Sequence, residues 1–239
     1  WNREMEIDFT SQLGTAAYPS FNAQLHVKDE IKYHRNLPLC LACDFNVDPC
    51  VFEVCQIRGG NLYVIDEICL GPAEIKDMVT EFRNRYPDHP AEIHVYGDSN
   101  GLRRTVQTIK TDYELIQIHM QGYSSRVVMK VPPAHPNPRA RINGLNNRLK
   151  GYEGVQRIFI SKKCVELIAD LQQVVLRPDG KDIMKVYKAN DPYAARTHAS
   201  DALGYMVYRE WPLATEALKL RAKKKKRKPM HHGRLLGGI

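Results

Sequence analysis

LPLCLACDFNV, residues 37–47, is a near-continuous apolar run that ends on a carboxylate, and the strand or helix it forms decides the fold. A run of this kind, bounded by polar segments, suits a central strand buried on both faces of a sheet. CVFEVCQI (50–57) and NLYVIDEICL (61–70) then flank RGGN, with Gly59, Gly60 and Asn61 in the turn, which is a hairpin signal. Three adjacent strands thus come in succession. GPAEIKDMVTEFRNRYPDHP (71–90) places Ile75, Met78, Val79 and Phe82 at helical spacing with Pro87 beyond its end, so it reads as an amphipathic helix. AEIHVYGDSN (91–100) reads as a strand ending at Gly97-Asp98, GLRRTVQTIK (101–110) as a helix and YELIQIHM (113–120) as a further strand. The order β-β-β-α-β-α-β predicts an α/β fold with a central mixed five-stranded sheet and helices on both faces, because a strand following a crossover helix lies parallel to its neighbour.

Downstream, the Pro-rich VPPAHPNPRA (131–140) leads into a basic helix, RARINGLNNRLKG, and SKKCVELIADLQQ (161–173) is another helix. VVLRPDGKDIMKVYK (174–188) reads as an accessory β-hairpin turning at Pro178-Asp179-Gly180, and HASDALGYMVYRE (198–210) as the closing helix. Residues 1–36 are polar and irregular, with YPSFNAQLHV (18–27) as a candidate strand, and read as a linker. The predicted organisation is this linker, a domain over 37–213, and a basic, disordered tail over 214–239.

Composition narrows the class. The chain has 239 residues, 43% hydrophobic and 26% charged, as soluble globular domains do. No stretch approaches the run of about eighteen apolar residues that a membrane helix needs, and WNREMEIDFT has neither the layout of a signal peptide nor an initiator Met. The expectation is a cytosolic fragment whose upstream part is missing. The net charge of +8 is matched by eight basic residues between Lys219 and Lys228, so the folded part is near neutral and any DNA groove comes from local clustering. Cys40 and Cys43 form a CxxC, but on a strand residues three apart point to opposite faces and cannot share one zinc ion. Reduced, buried thiols in a reducing compartment are the expectation for all six cysteines.

Three carboxylates stand where chemistry is placed in open α/β sheets. Asp44 ends the first strand's apolar run, Asp98 ends the fourth strand, and Asp201 interrupts a helix in which eight of the eleven residues 199–209 are Ala, Gly, Leu, Met, Val or Tyr. Together they would repel one another unless divalent cations neutralise them, the arrangement of a two-metal nuclease with ions about 3.5–4 Å apart. Each also has a structural reading: Asp44 and Asp98 as turn residues, and Asp201, opposite Ala199, Leu203 and Met206 on the helical wheel, as solvent-exposed. No GxSxG, HExxH or GxxxxGK[ST] motif offers a competing nucleophile, zinc site or nucleotide-phosphate loop.

ACDFNVDP in the first strand, VYGDSNG ending the fourth and HASDALGYMVYRE in the last helix, in this order and with the late hairpin, resemble the C-terminal nuclease domain of tailed-phage large terminase subunits, an RNase H-like (RuvC-like) fold. The resemblance covers about residues 37–210, and REMEIDFTSQLGTAAYPSF (3–21) is similar to the segment by which such chains leave their ATPase domain. It implies an endonuclease, dependent on two Mg²⁺ or Mn²⁺ ions, that cuts concatemeric double-stranded viral DNA during packaging, with Asp44, Asp98 and Asp201 as catalytic metal ligands. The resemblance allows Glu at the position of Asp98 as well, since either carboxylate can ligate. Asp48 becomes a supporting or alternative ligand. Asp66 and Glu67 take supporting or structural roles, and His198 either touches a phosphate or a water at the metal or is a surface or capping histidine. The implied partners are double-stranded DNA, the portal protein, the small terminase subunit and the ATPase domain of the same chain, and the implied location is the host cytoplasm at the capsid portal vertex.

The basic helix supplies Arg139, Arg141, Arg148 and Lys150, and the late hairpin Arg177, Lys181, Lys185 and Lys188, as candidates to neutralise DNA phosphates without reading bases. Their alternative is a solvated charged face. Two other functions remain open: another RNase H-like nuclease of the junction-resolvase or integrase type, and a non-catalytic DNA- or portal-binding module.

Overall fold

The computed structural model describes residues 15–103, 110–123, 126–131, 134–151, 153–184 and 196–213. In chain order a short helix α1 (Ala23–His26) leads into β1 (Val27–Lys28), followed by β2 (Leu39–Asp44), β3 (Cys50–Arg58), β4 (Asn61–Leu70), α2 (Ile75–Arg85) and β5 (Ile93–Gly97). After a 3₁₀ turn at Ser99–Leu102 come α3 (Asp112–His119), β6 (Val127–Met129), α4 (Pro138–Leu149), β7 (Ile158–Ser161), α5 (Val165–Gln173) and α6 (His198–Glu210). The strands form one mixed sheet in the order β1-β7-β4-β3-β2-β5-β6. β3 runs antiparallel to β2 and to β4, whereas β5 is parallel to β2, β6 to β5, β7 to β4 and β1 to β7.

Seven strands replace the five expected from the sequence. The additions β1, β6 and β7 are only 2, 3 and 4 residues long, too short for a periodicity to register, and each is recruited by pairing parallel to a strand already present. YPSFNAQLHV, expected as a strand, contains α1 and only the first residue of β1. YELIQIHM forms α3, not a strand. Thr111 and Glu114 make a reciprocal capping box, Glu114 N donating to Thr111 Oγ1 (3.2 Å) and Thr111 N to Glu114 Oε2 (2.7 Å). Tyr113 and Ile116 then share the buried face of that helix. The helix expected over 101–110 begins as the 3₁₀ turn, and residues 104–109 lie outside the described residues.

The central strand explains its own apolar run. Cys40 and Ala42 of β2 pack with Leu145, Leu167, Leu203 and Met206 on the α4-α5-α6 face, while Leu39, Leu41 and Cys43 pack with Met78, Phe82 and Ile116 on the α2-α3 face. Cys40 and Cys43 thus face opposite sides of the sheet. All six cysteines are free thiols, and burial pushes Cys40 and Cys50 up to about 12, leaving them in the inert thiol form. The late hairpin closes at an antiparallel Leu176–Ile183 bridge, and its root pairs with the incoming chain through Ala16 and Val175. Lys185, Lys188 and the basic tail lie outside the described residues. Among the described residues no helix is long and apolar enough to cross a membrane.

Candidate active site

Cys43 of β2 and Gly97 of β5 are partners in parallel register, so Asp44 and Asp98, each one residue further on, leave the same edge of the sheet on neighbouring strands. Adjacent strands lie about 4.8 Å apart. Asp44 alternates with Ala42 and Asp98 with Tyr96, both packed toward α6, so the two carboxylates emerge on the side where α6 lies. Gly97 permits the close approach at this edge, since a Cβ there would sit 2.7 Å from the Tyr113 hydroxyl and 3.0 Å from the Cys43 carbonyl oxygen. That hydroxyl donates to the Asp98 carbonyl (2.8 Å) and holds the strand end.

The first turn of α6 carries Asp201 and His198, and buried carboxylates fix where it starts. Asp170 of α5 accepts from Ser200 N (2.9 Å) and from the Thr197 backbone, while Thr197 occupies left-handed backbone at φ 96°. Helix α5 is capped in turn by Glu67, which accepts from Glu166 N (3.0 Å) and Leu167 N (2.7 Å). Glu67 faces α5 because β4 carries an extra residue, Ile65, where the register slips between the Val54–Asp66 and Cys55–Val64 pairs. The fully buried Glu53 lies opposite Glu67 on β3. Burial first, then the Glu67 charge, push the Glu53 carboxyl well above the usual carboxylate range, which favours its neutral, protonated form beside Glu67. Burial also raises Glu67, and takes Asp170 up to about 6. Asp66 points the other way and accepts from Arg85 Nη1 and the Tyr86 hydroxyl, both at 3.1 Å.

Each of the three aspartates meets a nitrogen group of the chain. His198 Nδ1 lies 2.8 Å from Asp44 Oδ2, and Asn46 Nδ2 donates to the same oxygen (2.7 Å). His135 Nδ1 lies 2.6 Å from Asp98 Oδ1, and Asn100 Nδ2 donates to Asp98 Oδ2 (2.6 Å). Arg141 Nη2 donates to Asp201 Oδ1 at 2.5 Å, with only 5% and 4% of the two side chains exposed. The buried Tyr205 lies within electrostatic reach of all three: burial raises its hydroxyl, Arg141 opposes, and Asp201, Asp98 and Asp44 all push it further up. Three carboxylates have the hard-oxygen chemistry that Mg²⁺ or Mn²⁺ takes. Their arrangement does not fit a shared ion, since among the described residues no three His, Cys, Asp or Glu side chains gather closely enough to hold one.

The other residues singled out from the sequence scatter. Asp48 is exposed, with its Oδ1 against Gly71. Arg139, Lys150, Arg177 and Lys181 are exposed. Arg148 donates to the Gly60 carbonyl and stacks 4.1 Å over the Trp211 ring, and Arg141 is turned inward to Asp201, where it is out of reach of a phosphate in solution. His135, Asn46, Asn100 and Tyr205 were not anticipated. Asn46 and Asn100 each follow an aspartate by two residues, a local signal, whereas His135 reaches Asp98 from 37 residues away and left none.

No protein-family profile matches the sequence, and no curated protein matches it. Solved structures do match in fold. The large terminase of the thermophilic bacteriophage D6E is 14% identical with a TM-score of 0.55, over 82% of this chain and 45% of that one. The nuclease domain of the P22 large terminase is 12% identical with a TM-score of 0.54, over 80% and 89% of the two chains. The large terminase nuclease of the thermophilic phage G20c, with bound magnesium, is 13% identical with a TM-score of 0.50, over 83% and 97%. The chain spans less than half the length of the D6E terminase and nearly all of the isolated nucleases. Its mixed sheet, flanked by helices on both faces, is thus the RNase H-like fold of the nuclease domains of phage large terminases.

Proposed function

We propose that this chain is the endonuclease domain of a phage large terminase subunit, hydrolysing phosphodiester bonds of concatemeric double-stranded DNA during genome packaging with two Mg²⁺ or Mn²⁺ ions. The observation that carries the proposal is the placing of Asp44 and Asp98 at the carboxyl ends of two neighbouring parallel strands, with Asp201 in the helix lying over them. Magnesium bound to the G20c nuclease, which shares the fold, supports the divalent-ion requirement. Exposed Arg139, Lys150, Arg177 and Lys181 supply cations for the DNA backbone, with no demand on sequence. In this reading an ATPase domain, the portal protein and the small terminase subunit are partners, and the enzyme works in the host cytoplasm at the portal vertex.

Incubation with supercoiled plasmid tests the proposal. Nicked and linear product should form with Mg²⁺ or Mn²⁺ and disappear with a chelator. Strong preference for a four-way junction over plasmid would favour a junction-resolving nuclease instead, and no cutting with either ion would leave a non-catalytic DNA- or portal-binding module.

A further inference from the structure

Of the nitrogen partners at the three aspartates, Arg141 alone is both permanently charged and buried. Its path from α4 to Asp201 is built into α6. A Cβ at Gly204 would come within 2.8 Å of Arg141 Cγ and 3.0 Å of its Cδ, and the guanidinium lies 4.4 Å over the Tyr205 ring. The guanidinium nevertheless meets Asp201 through Nη2 at a single point. Its Nε and Nη1 are buried without a hydrogen-bond partner, so the two-pronged Arg–carboxylate grip is not used. Its charge also acts on Asp44.

We infer that Arg141 is the resident counter-ion of this site: with no divalent ion bound, its guanidinium occupies Asp201, and an ion enters by displacing it. The inference rests on the reading of the three aspartates as a divalent-ion site. A guanidinium on Asp201 cancels the negative charge that would draw a cation in. Removing it takes the guanidinium's positive charge away from a buried carboxylate, which favours an incoming ion or a proton there. Cation affinity should therefore rise when Arg141 is neutralised, whereas it should fall if Arg141 merely braces Asp201 for the ion.

Calorimetric titration of the full chain with Mn²⁺ reads this directly, without cleavage. Arg141→Gln should bind roughly tenfold or more tightly than wild type, the scale on which a neighbouring charge shifts ionic equilibria. Arg141→Lys, which keeps the charge, should stay near wild type. Equal or weaker binding by Arg141→Gln overturns the inference alone, whereas no binding by wild type or either variant overturns the reading of the site as well. If Arg141→Gln does not fold, the wild-type guanidinium resonance of Arg141, assigned by its loss in Arg141→Lys, should shift as Mg²⁺ is added. A resonance that stays fixed while the ion saturates signals from Asp98 overturns the inference.

Discussion

Asp201 sits in a helix whose neighbours are almost all apolar, and the cost of burying its charge is met by Arg141, 60 residues earlier. One half of this pair was legible. A lone carboxylate in an apolar helix draws notice in the sequence, whereas Arg141 stands beside Arg139 in one basic helix and nothing local separates the buried arginine from the exposed one. Gly204 carries the same lesson, since its missing side chain is explained only by what crosses it. Gly204→Ala should push against the Cγ and Cδ of Arg141, atoms too near the backbone to swing away, and destabilise the fold by about 1–3 kcal/mol. Denaturant unfolding measures this, and an unchanged midpoint would mean that α4 and α6 can separate freely.

At the scale of elements, the strands with long runs were readable, as was α6, whose bounds match the sequence reading. The segment 113–120 was misread because its Tyr113, Ile116 and Ile118 are residue types enriched in strands, while the Thr111-Glu114 box that starts a helix begins just outside it. Thr111→Ala should cost about 1 kcal/mol through the lost cap, visible as a lowered melting temperature. Glu53 shows a different limit, because its partners reach it from β4 across a bulge that the sequence does not announce. Its carboxyl is raised in the fold, so above the ordinary carboxylate range the native state holds a proton that the unfolded chain has lost. Stability contributed by this group is full at low pH and falls as pH rises, by up to about 1.4 kcal/mol per pH unit. Asp170, raised to about 6, adds to the fall between its ordinary value and that one. Melting temperatures between about pH 5 and 8 should decline less steeply in Glu53→Gln than in wild type. A slope unchanged by the substitution would contradict a protonated Glu53.

For the whole molecule, the fold brings the carboxyl ends of β2 and β5 under α6, and the exposed basic residues of α4 and the late hairpin are the means offered for holding DNA. If Arg139, Lys150, Arg177 and Lys181 contact phosphates, each Ala variant should weaken binding alike for unrelated duplexes and lower the salt dependence by about one unit of slope. A loss confined to one sequence would point to base readout instead. The central claim concerns the aspartates, and Asp98 is the member to change, because its pair with His135 is partly exposed and it lies at a strand end. The decisive measurement is the initial rate of plasmid cleavage in Mn²⁺ by wild type and Asp98→Ala, with folding of both checked by circular dichroism. The variant should cut roughly 100-fold or more slowly while remaining folded; undiminished cutting by a folded Asp98→Ala would contradict the site.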